Sequence, residues 1–178
     1  MRCVALFRGI NVGKAKRIGM ADLRALFERL GYTDVRTLLN SGNVIFTPAK
    51  ADPGAAARIE KAVADRLRVT SRVTVITGKE VAEAIQKNPF AKIAKDPSRL
   101  LVLVPWDSKA ATELKPLLKK DWKPEALALG KRVAWLWCAN GILDSPLWAE
   151  ANRTLGDRGT SRNMTTMTKL LALCESPE

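Results

Sequence analysis

From Cys3 to Ile76 the apolar residues switch between the two-residue period of a strand and the longer period of a helix, and the order of those switches limits the fold more than any other feature. Cys3 to Phe7 is a short apolar strand. A loop runs to about Gly19, after which Met20, Leu23, Leu26, Phe27 and Leu30 recur at helical spacing until Gly31 supplies a stop. Asp34 to Leu39 and Asn43 to Thr47 are strand-like segments joined by the turn formers Asn40, Ser41 and Gly42, a hairpin. Asp52 and Pro53 suit the N-cap and first position of a helix whose stripe is Ile59, Val63 and Leu67, and Val73 to Ile76 closes the series as a strand. The order β-α-β-β-α-β is the ferredoxin-like arrangement, with two helices on one face of an antiparallel sheet.

The second half repeats this grammar. Thr77-x-x-Glu80 has the capping-box spacing and opens a helix that should stop near Asn88-Pro89. Leu100 to Val104 is a strand, and Ser108 begins a helical segment carrying Leu114, Leu117 and Leu118 that Pro116 should kink or split. Leu127 to Leu129 and Val133 to Cys138 form a hairpin through Gly130. Ser145-Pro146 opens a helix that Gly156 ends, and residues 164–174 form the last helix. The expected class is therefore α+β: two ferredoxin-like-related β-α-β-β-α-β units packed together, with antiparallel or mixed sheets and helices on one face. Residues 1–89 hold the first unit plus a connecting helix and residues 90–178 the second, as one compact, intertwined domain. All five tryptophans lie in the second half, and Trp135 and Trp137 share one sheet face, where packing under the final helices is expected ahead of base stacking.

Composition then removes whole classes of chemistry. The 178 residues contain no histidine, so the usual neutral-pH general base, the usual zinc ligand and every imidazole triad are missing. Cys3, Cys138 and Cys174 are far apart and show no Cys-x-x-Cys spacing, which fits buried thiols in a reducing cytosol and neither a metal site nor a disulfide scaffold. No metal or cofactor is expected. The Cys3–Phe7 stretch is too short for a signal-peptide core and no run approaches ~20 apolar residues, so a soluble cytoplasmic protein without a membrane partner is expected. Thirty Lys and Arg against 18 Asp and Glu give a net charge of +12, which attracts nucleic acid, nucleotides or other anions.

Three segments could receive such an anion, and none contains Asp or Glu. The first is RGINVGKAKR at 8–17. Its glycine spacing is one residue short of a Walker loop and Ala15 stands where the magnesium-binding hydroxyl must be, so the phosphate-loop mechanism is excluded; the dinucleotide fingerprint fails on spacing as well. What remains is a cluster of Arg8, Lys14, Lys16 and Arg17 between glycines. The second is Asn40-Ser41-Gly42-Asn43, whose residue types turn formation already explains. The third runs from Gly159 to Leu170 and is read as the start of the last helix, where free backbone N–H groups favour an anion. The expected ligand-binding set is Arg8, Asn11, Lys14, Ser41, Asn43, Arg162, Asn163, Thr165 and Lys169. Without paired acids, two-metal and paired-carboxylate mechanisms are not supported.

RGINVG at 8–13, Met20 with Leu23, SGNVIF at 41–46, NPF at 88–90 and RNMTTMTKL at 162–170 resemble, in order and spacing, the bacterial domain-of-unknown-function 1697 family. The resemblance covers essentially the whole chain. It implies a compact α/β protein of two ferredoxin-like-related halves and no established activity. The family's recurrent residues map onto Arg8, Gly9, Asn11, Gly13, Ser41, Gly42, Asn43, Arg162, Asn163 and Lys169, while Lys14 and Met164 replace the glycine and the aromatic that members usually carry. Three functional classes follow. The first is a module binding phosphate, nucleotide or nucleic acid through the three segments. The second is an enzyme on a small anionic substrate, with Arg8 and Arg162 clamping charge and Lys14 or Lys169 as nucleophile or acid. The third is a protein-interaction module. Oligomeric state is not encoded in any of these features.

Overall fold

The computed structural model describes residues 1–177. Its first six elements are β1 (Cys3–Phe7), α1 (Met20–Arg29), β2 (Thr33–Leu38), β3 (Asn43–Thr47), α2 (Ala55–Leu67) and β4 (Val73–Thr77). The strands lie in the order β2-β3-β1-β4 with every neighbouring pair antiparallel, which is the split ferredoxin-like topology. Alternation along the strands sends Ala5, Phe7, Val44, Phe46 and Val73 to one face. There they meet Leu23, Leu26 and Phe27 of α1 and Ile59 and Val63 of α2, all 2% exposed or less. Phe27 meets Phe46 edge-on with ring centroids 5.3 Å apart, and Tyr32 lies 4.5 Å from Phe46. Pairs of this kind contribute ~0.5–1.5 kcal/mol beyond area burial.

The start of α2 differs from the sequence expectation. Its N-cap is Gly54 rather than Asp52, because the Asp52 carboxylate accepts the Tyr32 hydroxyl at 2.8 Å and pairs with Arg58 in the first turn of α2. Asp52 ties the helix to the strand-side ring instead of capping it.

The remaining elements are α3 (Gly78–Gln86), β5 (Leu100–Pro105), α4 (Ser108–Thr112), β6 (Ala126–Leu129), β7 (Ala134–Trp137), α5 (Pro146–Leu155), β8 (Gly159–Asn163) and α6 (Met164–Glu175). The second sheet, β6-β7-β5-β8, is again antiparallel throughout, so the same topology is built twice. Pro116 splits the helical segment as expected: α4 stops at Thr112 and a 3-10 turn covers Lys115–Lys119. Leu101, Leu103, Ala134 and Leu136 pack on Ala110, Leu114, Leu147, Ala151 and Leu155, all buried. The Ser145 hydroxyl caps α5 by accepting the Trp148 N–H at 2.9 Å.

One further expectation is corrected here. Gly159–Asn163 is not a helix start but the strand that completes the second sheet, pairing along the open edge of β5; the helical spacing of buried residues begins only with Met164, Met167 and Leu170. Trp135 is buried as expected, on the sheet face opposite Ala134 and Leu136, where its indole N–H donates to the Ala84 carbonyl of α3 at 2.8 Å.

The chain falls into two compact units, Met1–Lys79 with the residues from Leu170 onward, and Glu80–Lys169. These bounds differ from the sequence halves 1–89 and 90–178 for two reasons. α3 is held to the second sheet by Trp135 and by the Arg132–Glu80 ion pair. The end of α6 returns to the first sheet, where the Arg2 guanidinium donates to the Leu173 and Cys174 carbonyls at 3.3 and 3.0 Å and Arg36 donates to the Pro177 carbonyl at 3.0 Å.

Tyr32 is the single tyrosine, so tyrosinate absorbance reports it alone. Burial, then the hydrogen bond to the Asp52 carboxylate, pushes its hydroxyl up from 10.0 to about 12. Because the folded value lies above the unfolded one, the stabilisation is fully present below pH ~10 and is lost as pH rises through about 12. A native absorbance titration should show its midpoint about two units above that in urea, and Asp52→Asn should bring the two closer.

Candidate functional site

β1 ends against three backbone anchors. The Phe7 N–H donates to the Gly42 carbonyl, the Arg8 N–H to the Arg72 carbonyl, and the Ser71 hydroxyl to the Arg8 carbonyl, each at 2.9 Å. From this fixed point the chain coils tightly, with left-handed φ at Gly9, Asn11, Gly13 and Lys16. For a non-glycine residue that conformation costs ~1–2 kcal/mol. Asn11 offsets it with its own side chain: Nδ2 donates to the Ile18 and Asn40 carbonyls at 3.0 and 2.8 Å, and Oδ1 accepts the Ile18 N–H at 2.8 Å. At ~0.5–1.5 kcal/mol per hydrogen bond, the staple matches or exceeds the strain. Its own N–H donates to the Lys16 carbonyl at 3.0 Å, and Ile10 and Ile18, 1% and 6% exposed, sink both ends of the coil into the core.

The 40–43 turn sits directly against this coil. Gly42 has φ +80°, and a Cβ there would lie 2.6 Å from the Phe7 Cβ and 2.7 Å from the Ile10 Cδ1, so no other residue fits. Asn43 is fully buried, and its Nδ2 donates to the Leu38 carbonyl at 2.8 Å and to the Ser41 hydroxyl at 3.0 Å. Asn11 and Asn43 of the expected site thus spend their amides on local shape.

What the coil turns outward is positive. Lys14, Lys16 and Arg17 are exposed, and none has a carboxylate partner among the described residues. Arg17 only reaches the carbonyls of Asn11 and Gly13, at 3.4 and 3.3 Å. Val12, 71% exposed, stands among them. Ser41 is exposed and Arg8 half-buried.

The third segment belongs to the second unit. Arg162 lies on β8 opposite Val102 and donates to the Thr160 hydroxyl and the Ser161 carbonyl at 3.0 and 2.8 Å; burial lowers its guanidinium to about 10. Asn163 caps α6 by accepting the Thr166 N–H at 2.9 Å, Thr165 is half-buried, and Lys169 is exposed. The loop and the turn are brought together by Asn11, Asn40, Gly42 and Phe7, within the first unit. Sequence reasoning missed Ser71 and Arg72, which hold Arg8 through backbone atoms and leave no motif. Among the described residues no group of Cys, Asp and Glu is placed to hold a metal ion, and no helix is long and apolar enough to cross a membrane.

A family model described as a protein of unknown function (DUF1697) matches residues 1–135. A solved structure of a conserved bacterial protein from Streptococcus pneumoniae is similar with a TM-score of 0.74 and 24% identity, covering 98% of each chain; the likeness is one of fold. No curated protein matches.

The Gly42 contact yields a direct test. Gly42→Ala adds both left-handed strain and an overlap with Phe7, and should lower the urea-unfolding free energy by roughly 2–4 kcal/mol. Lys14→Ala, on the exposed side of the coil, should leave it within about 0.5 kcal/mol.

Proposed function

The chain belongs to the DUF1697 family of proteins of unknown function, and from its first loop we propose an anion-binding module whose ligand is the phosphate backbone of a nucleic acid. The observation that carries this reading is the exposed trio Lys14, Lys16 and Arg17, without carboxylate partners, on a coil whose shape is already set by the Asn11 staple. A loop ordered before binding loses little conformational entropy when it binds. A small anion is best held by donors converging in a pocket, whereas a duplex presents one negative charge per ~1.7 Å of its axis to an open surface. Outward cations on an open coil suit the second geometry. Arg8, whose backbone is pinned at the base of the coil, and Ser41 on the adjoining turn belong to the same unit.

The reading is tested by fluorescence anisotropy of labelled RNA and DNA, single- and double-stranded, across a salt series. Each phosphate contact contributes about 0.9 to the slope of log affinity against log salt for duplex DNA and about 0.7 for single strands. Neutralising Lys14, Lys16 and Arg17 together should reduce that slope by about 2–3 on duplex DNA. Asn11→Ala, which keeps every charge but loosens the coil, should weaken binding with the slope unchanged. No binding at low salt, or an unaltered slope in the triple variant, would remove the proposal.

A further inference from the structure

Apart from the basic coil, the second unit holds a cavity of about 220 Å³ between the end of β5, the 3-10 turn at Lys115–Lys119 and the turn joining β6 to β7. Leu114, Val133 and Ala134, all buried, form its apolar floor. Its lining contains Lys115 and Lys131 but no Asp or Glu, and neither lysine has a carboxylate partner among the described residues. We infer that this cavity is a binding site for a small monocarboxylate with an apolar ring or branched body, the body on the Leu114–Val133 floor and the carboxylate between Lys115 and Lys131.

Three features support that assignment. The hairpin turn that carries Lys131 is fixed: the Gly130 N–H donates to the Val133 carbonyl at 2.7 Å, and a Cβ on Gly130 would lie 2.7 Å from the Trp135 ring. On its other side Arg132 donates to the Pro105 carbonyl at the cavity's edge, so Lys131 is bracketed by two anchored neighbours. Lys115 follows the fully buried Leu114 directly and lines the same cavity, which anchors the base of its side chain. Size then selects the ligand. A dry apolar cavity of about 150 Å³ holds benzene, so about 220 Å³ admits one ring with a short acid arm. Ser108 and Thr112 add two hydroxyls to the lining, but the apolar floor gives a free inorganic phosphate little to replace its hydration, whereas two ammonium groups without carboxylate partners favour an acid over the equivalent neutral molecule.

The test uses the full chain, with phenylacetate as the probe, benzyl alcohol as its neutral analogue and inorganic phosphate as the bare anion, each followed by calorimetry and by amide chemical shifts. Phenylacetate should bind saturably and at least tenfold more tightly than benzyl alcohol or phosphate, with shifts centred on Leu114 and Val133. Lys115→Ala with Lys131→Ala should remove the preference for the acid, and Ala111→Phe, on the cavity wall, should abolish binding of both ring compounds while the circular dichroism is retained. Absence of saturable phenylacetate binding at millimolar concentration, equal affinity for the neutral analogue, or binding unchanged in the double lysine variant would each overturn the assignment. The double variant decides the matter even if Ala111→Phe does not fold.

Discussion

Both faces of β1 are apolar and both of its edges are paired, so the in-out alternation that normally specifies a strand's register is missing from it. Val4 to Phe7 are all completely buried, and a one-residue slip would exchange one apolar set for another. Register is held instead at the strand's ends. The Gly78 N–H donates to the Arg2 carbonyl at one end and the Phe7 N–H to the Gly42 carbonyl at the other, where the missing side chain of Gly42 admits the Phe7 Cβ. Sliding β1 would open these bonds and force a side chain into the Gly42 gap. The core beneath α1 and α2, the start of the coil at Arg8 and the docking of the 40–43 turn all inherit their positions from this contact.

The same economy shapes the coil. Residues that attract notice as ligands by type, Asn11 and Asn43, are used as scaffold, because a buried amide in a tight bend must satisfy its own polar atoms and can satisfy neighbouring carbonyls in doing so. The lysines are too strongly hydrated to share that interior, so they remain outside. Chemistry and architecture are thereby separated within ten residues: glycines, asparagine and isoleucines build, and cations face water. In the second unit Asn163 is likewise a helix cap, while Arg162 lies along a strand, so its donors point where β8 directs them rather than along a helix axis.

Element order was legible because period and punctuation are local properties. The Phe27 and Val63 stripes, the Gly31 stop, the Asn40–Gly42 turn, the break at Pro116 and the Ser145 cap each act within a few residues, and each stands where the sequence puts it. The errors share a cause. Asp52 has the composition of a cap, yet Tyr32, distant in sequence, claims its carboxylate; Gly159–Asn163 reads as the approach to a helix, yet the open edge of β5 makes a strand of it. In each case a partner far along the chain supplied a stronger interaction than the local preference.

By itself, then, the sequence determined that two α/β units of the same grammar would form, that histidine chemistry would be absent, and that positive charge would cluster without acids at 8–17. Those outcomes rest on spacing and composition, which the linear chain carries in full. Tertiary structure alone decided which of the clustered residues face solvent and which are consumed as scaffold, and that Lys115 and Lys131 line one cavity although a helix turn and a strand separate them. The reason is physical: burial and hydrogen bonding are properties of pairs, and the pairs that matter here, Asn11 with Asn40, Gly42 with Phe7, Gly130 with Trp135, come into being only when the sheets close.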